Sequence, residues 1–139
     1  MINLAGMNRK HIILFGLIVL LSACSSKQQS LLPAENGLDA GREFIDGCLK
    51  GDFIKAHFYL LSDASNEQLL KTTEASYREK DKEGRQQLRT SSINIQSVQE
   101  PNDTSVELRY STSADTAKKI VYIIKRNAQW QVDYKKTFN

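Results

Sequence analysis

"KKIVYIIKRNAQWQVDY", Lys118 to Tyr134, is the stretch that decides the fold. Ile120 through Ile124 are apolar at every position, as in a strand with neighbours on both sides. Asn127-Ala128 breaks the run, and Trp130, Val132 and Tyr134 then recur with period two. The pattern is a β-hairpin. A two-residue loop sets Ile123 opposite Val132 and Val121 opposite Tyr134. Val121, Ile123, Trp130, Val132 and Tyr134 then share an inner face. Ile120, Tyr122 and Ile124 fall on the outer face, beside Gln131 and Asp133. A three-residue loop would reverse these faces. Ala128 stands where glycine is usual in such a turn, and alanine resists positive φ.

Working outward, two more strands precede this hairpin. Ile93, Ile95 and Val98 mark the first, "EPND" reads as a turn, and Val106, Leu108 and Tyr110 alternate with polar residues in the second. Before Ser92 the period is helical. Ala40, Phe44, Ile45, Cys48 and Leu49 line one face of a first short helix, which Gly51 stops. Asp52 caps a second short helix with Phe53, Ala56, His57 and Leu60 on its apolar side. Ser65 and Gln68 form a capping-box pattern that opens a third, longer helix bearing Leu69, Leu70, Thr73 and Tyr77. "REKDKEGR", Arg78 to Arg85, reads as a solvated helix end running into a loop at Gly84. Helices first and four consecutive antiparallel strands after them make an α+β domain, with a curved sheet packed on the helical layer.

The chain has 139 residues, enough for one domain, with 40% hydrophobic and 25% charged residues. Its front end is different. Asn8-Arg9-Lys10-His11 is basic, and Ile12 to Leu21 is apolar but shorter than the ~20 residues a membrane span needs. Leu21-Ser22-Ala23-Cys24 follows and resembles the bacterial lipobox. The resemblance implies a signal peptide over 1–23, cleavage before Cys24 and a diacylglycerol thioether on its sulfur. It places the protein in the cell envelope, lipid-anchored and facing the periplasm. Ser25, rather than Asp, after the cysteine favours the outer membrane over the inner. Residues 24–37, polar and broken by Pro33, read as the lipidated cysteine and a flexible tether, and 38–139 as the domain.

Further in, "REFIDGCLKGDFIKAHFYLL" and the closing "KRNAQWQVDY" resemble a family of small, functionally uncharacterised bacterial lipoproteins. These carry a nuclear-transport-factor-2-like (cystatin-like, SnoaL-like) domain. The resemblance spans about residues 38 to 135 and implies a cone-like fold, not an activity.

Without the leader, 17 Lys and Arg face 16 Asp and Glu, so charge gives no reason to expect nucleic acid. Cys48 is the second cysteine and has no disulfide partner once Cys24 is lipidated. Cysteines and histidines are too few for a metal cluster, and no cofactor pattern occurs. The cone implied by the resemblance would take its acid, base or ligand-binding groups from His57, Tyr59 and Tyr110, with Tyr122 and Asp133 weaker candidates. His57 is placed on the inner face by helical spacing and Asp133 away from the core by alternation. No nucleophile–base arrangement accompanies them, so a non-catalytic binding or interaction module is the leading expectation. A small-molecule binder or acid/base enzyme is the alternative. Ile120, Tyr122 and Ile124 are a candidate interface for a second copy or an envelope partner. Lys118, Lys119, Lys135 and Lys136 are a candidate contact for anionic headgroups or an acidic partner.

Overall fold

A computed structural model describes residues 30–138. Among them four helices precede four strands: α1 (Gly37–Lys50), α2 (Phe53–Phe58), α3 (Ala64–Glu79), α4 (Lys82–Arg89), β1 (Ile93–Asn102), β2 (Ser105–Thr112), β3 (Lys119–Arg126) and β4 (Gln129–Val132). A 3-10 helix, Tyr134–Phe138, follows β4. The strands form one antiparallel sheet in the order β1-β2-β3-β4. The fold is therefore α+β, as the change of period at Ser92 implies. No helix among the described residues is long and apolar enough to cross a membrane.

The β3–β4 hairpin turns on Asn127 and Ala128, both at positive φ (51° and 61°). This is the turn whose twist suits two antiparallel strands. It sets Ile123 opposite Val132, as the two-residue loop predicts. The predicted pairing of Val121 with Tyr134 does not form, because β4 ends at Val132 and Tyr134 opens the 3-10 helix. The edge of β4 is covered instead by the chain after α2. Leu61 N–H donates to the Val132 carbonyl at 2.9 Å, and Val132 N–H donates to the Tyr59 carbonyl at 2.8 Å.

The core lies between α1 and the sheet. Ala40, Phe44 and Ile45 of α1 meet Val106 and Leu108 of β2, Val121 and Ile123 of β3, and Val132 of β4. β1 contributes less than its sequence suggests. A register shift between Ile95 and Ser97 breaks its alternation, leaving Ile95 and Val98 exposed on an edge strand. β1 also runs through Pro101 to Asn102, so the turn lies at Asp103 and Thr104 rather than over "EPND".

The helical layer is longer than expected. α1 has 14 residues, and α4 is a helix where a loop was expected at Gly84. Asp81 explains α4: its carboxylate accepts from Gly84 N–H at 2.7 Å and caps the first turn. The cap of α3 lies two residues before the predicted Ser65, at Asp63, which accepts from Asn66 N–H at 2.9 Å. α1 ends at Gly51, whose φ of 74° suits glycine and whose N–H donates to the Gly47 carbonyl. Gly47 lets α2 approach: a Cβ there would lie 2.9 Å from the Ala56 nitrogen. Lys55 of α2 bridges Glu43 and Asp46 of α1 across the same contact.

Leu31–Asn139 forms a compact unit that contains this whole core. The end of the expected tether lies along it. Asn36 caps α1 by accepting from Asp39 N–H, Ala34 packs against the core, and the Leu32 carbonyl accepts from the Tyr59 hydroxyl at 2.7 Å.

Candidate functional site

The helices and sheet do not close completely. A cleft of about 410 Å³ opens between α1, α3, β2 and the 3-10 helix. Phe44, Ile45, Cys48 and Leu49 form its α1 wall, one face of the helix at three- and four-residue spacing. Thr73, Ser76, Tyr77 and Lys80 come from α3, and Leu88 from α4. Tyr110 and Thr112 of β2 form the floor with Lys119 of β3, and Tyr134, Thr137 and Phe138 close the far side.

Aromatic edges fix that far side. The ring of Tyr134 meets Phe44 at 5.0 Å and Phe138 at 5.3 Å, both in edge-to-face geometry. The Tyr134 hydroxyl lies 3.0 Å from Thr73 Oγ1, tying the 3-10 helix to α3. The Thr137 hydroxyl, in contrast, is buried without a hydrogen-bond partner among the described residues.

Three of the cleft's titratable groups, Cys48, Tyr110 and Tyr134, are held neutral, while Lys80 and Lys119 line it as well, Lys119 paired with Asp115. Loss of hydration pushes the Cys48 thiol up to about 12. Burial first, and then the neighbouring Tyr134, Cys48 and Asp115, raises Tyr110. Burial also raises Tyr134, against the lowering effect of its bond to Thr73. None of the three moves toward neutral pH, where a general base or a reactive thiolate works. What the cleft offers is apolar surface with a few uncharged hydroxyls, and two lysine side chains, Lys80 and Lys119.

The three predicted pocket residues do not meet. Tyr110 lies in the cleft. Tyr59 is buried elsewhere, its hydroxyl spent on Leu32. His57 is exposed, in a shallow groove with Ile54, Glu67 and Lys71, which corrects its expected inward placement. The reason is the length of α2. With only six residues it buries Ala56 fully and Phe53 in part, and the chain leaves the helix before Leu60. Asp133 also differs from expectation. It is 4% exposed, because strand alternation stops at Val132.

The predicted surfaces are muted. Ile120, Tyr122 and Ile124 lie on the outer face of β3, opposite Arg109, Glu107 and Ser105 of β2. All three are half-buried, and the Glu107–Arg109 ion pair runs beside them. Of the four lysines, Lys118 is exposed and the others face carboxylates. Lys119 pairs with Asp115, Lys135 with Asp63 and Asp133, and Lys136 reaches Asp133 at 4.0 Å. That end is a mixed ion-pair cluster rather than a free basic patch. Cys24 lies outside the described residues.

Sequence reading missed Tyr77, Lys80, Leu88 and Thr137 as members of one site. Tyr77 had been placed on the apolar face of α3, which is the signal that it looks inward. No family model, curated protein or solved structure matches this chain.

Proposed function

We propose that this chain is an envelope lipoprotein anchored through Cys24, whose domain binds a small molecule with a hydrocarbon part in the cleft beside Cys48 and Tyr110. The lipobox-like sequence at Leu21 to Cys24 supports the anchor, with outer-membrane sorting and a periplasmic face as its consequence. Each buried acyl CH₂ contributes about 0.8 kcal/mol, so two or three chains hold the protein on the bilayer. Helices followed by a four-stranded meander, with a cleft between the layers, is compatible with a nuclear-transport-factor-2-like domain and keeps that resemblance within the reading.

The observation that carries the binding role is the cleft itself: about 410 Å³ walled mainly by apolar side chains, with the Cys48 thiol and the Tyr110 hydroxyl held uncharged. An acid/base enzyme would draw on His57 together with a strand tyrosine, and these two sit in separate depressions. A non-catalytic binding module therefore fits the geometry better.

Two measurements test the two halves of the reading. Labelled palmitate should enter the full chain and be absent from Cys24→Ala; equal labelling removes the anchor. For the cleft, residues 24–139 carrying Cys24→Ser keep the whole compact unit without lipid. This protein should bind decanol in titration calorimetry, and Cys48→Phe, which fills the cleft, should weaken binding at least about tenfold, or ~1.4 kcal/mol. Undiminished binding by Cys48→Phe would place the ligand elsewhere.

A further inference from the structure

Beyond the apolar cleft lies a second depression of about 440 Å³, and the two share one wall, Tyr77. Its lining is of the opposite character: Lys50, Arg78, Arg85 and Arg89 surround Gly51, Phe53 and Tyr77. No carboxylate lines it. Tyr77 is held in place from several sides. Phe53 meets it edge to face at 5.7 Å, and its hydroxyl donates to the Lys50 carbonyl and accepts from Arg89 Nη1, both at 3.3 Å.

The four cations differ in what they already hold. Lys50 pairs with Asp46, and Arg78 with Glu74. Arg85 donates only to the carbonyls of Arg78 and Lys80, and Arg89 only to the Tyr77 hydroxyl and Gln86. Neither has a carboxylate partner among the described residues, though they sit four apart on one face of α4, where like charges repel. The last turns of α1, α3 and α4 each carry a basic residue of this group, so part of the charge answers the helix dipoles. A groove of guanidinium groups with unspent donors is complementary to a phosphate, which takes bidentate arginine contacts.

We propose that the basic groove receives the anionic head of the same molecule whose chain fills the cleft, so that the ligand is a single-chain amphiphile with a phosphate head. The inference rests on the cleft reading. Tyr77 marks the point where the hydrocarbon ends and the charge begins. The cleft is mostly apolar, with its thiol and tyrosines neutral and its Lys119 answered by Asp115, and the groove next to it gathers four cations with no carboxylate in its lining; a phosphorylated hydrocarbon matches both. A phosphate of this kind could come from a lipid headgroup or from free phosphate, and the test separates the two sources.

Residues 24–139 with Cys24→Ser are titrated calorimetrically with decyl phosphate, decanol and inorganic phosphate. Decyl phosphate should bind about tenfold or more tighter than either of the others. The double variant Arg85→Gln/Arg89→Gln should bind decyl phosphate no better than decanol, with decanol affinity unchanged as proof of an intact cleft. Arg89→Gln alone, which leaves the Arg85 bonds to the end of α3 in place, should lose part of the preference. Equal affinities of decyl phosphate and decanol in the parent would reduce the cations to helix caps and overturn the headgroup site while the cleft reading stands. Inorganic phosphate binding as tightly as decyl phosphate would make the groove a free-phosphate site and overturn the amphiphile. A preference that survives the double variant would also overturn it. Failure of both amphiphiles to bind removes the cleft reading, and this inference with it.

Discussion

Two sites of buried polar groups in this domain are treated in opposite ways. Where α3 begins, Asn66 is fully buried and fully used. Its Nδ2 lies 2.9 to 3.2 Å from the Leu61 carbonyl, Asp63 and Asp133, and its Oδ1 accepts from Lys135 N–H at 2.7 Å. The amide ties α3, the end of α2, β4 and the 3-10 helix into one joint. In the cleft, the Thr137 hydroxyl is buried with no partner among the described residues and the Tyr110 side chain faces open space. A satisfied network fixes the fold, and an unsatisfied, roomy one leaves something for a ligand to supply.

Breaking the joint should have the largest effect. Asn66→Leu keeps the volume nearly constant but strips the Leu61 carbonyl, at a buried bond, and the Lys135 N–H, at a part-buried one, of their partner. A loss of about 3 kcal/mol is expected, at 1 to 3 kcal/mol per stranded group. Urea unfolding of residues 24–139 should show it as a lower midpoint with an unchanged slope. A shift below about 1 kcal/mol would mean that the joint is no better connected than the cleft.

The joint and the cleft were unequally legible in the sequence, for physical reasons. The sheet was readable because β2, β3 and β4 each keep one buried face, so hydrophobic period and register coincide. Asp133 was misplaced because alternation holds only while the chain stays extended, and nothing local marks its departure after Val132. Asn66 drew no notice. Ser65 and Gln68 offered an equally good cap pattern, and only Asp63, two residues earlier, reveals that Asn66 lies in the first turn. α4 was hidden because its single apolar wall residue, Leu88, gives no periodic stripe; its cap and its arginines hold it instead. Arg78 and Arg85 belong to the run that reads as solvated charge, and Arg89 lies beyond it. Arg85 and Arg89, four apart, share one face of α4, and Arg78 reaches them from α3 across the break at Lys80 and Asp81. Lys50 joins them only through the packing of α1 beside α3, which no local pattern reports.

On the cleft side the expected effect is smaller and of opposite sign. Thr137→Val removes the hydroxyl that has no partner among the described residues and keeps the shape, so stability should rise by up to about 1 kcal/mol. The same urea experiment measures it. A loss of that size instead would show that the hydroxyl is bonded and the cleft wall sealed, and the contrast with Asn66 would disappear.

The smallest effect expected is in pH dependence, and it belongs to the joint. The bond from Lys135 and then the Asn66 N–H hold Asp63 below its ordinary value of 3.8, and Asp63 in turn raises Lys135 above 10.5. A depressed carboxyl binds protons more weakly when folded. Its contribution is present above 3.8 and is lost as pH falls through the lower folded value. The raised lysine contributes below 10.5 and loses its effect as pH rises through the higher folded value. Both groups are solvent-exposed, so the effect is modest and screened by salt. Asp63→Asn keeps an oxygen to cap α3 but removes the charge, since asparagine caps as well as aspartate. Its urea midpoint should therefore lie slightly below the parent's at neutral pH and converge on it as pH falls through the lowered folded value of Asp63. Midpoints that stay parallel into acid would assign the role of Asp63 to the cap alone. The ion pair to Lys135 would then be dispensable, and the strength of the joint would rest on the Asn66 amide.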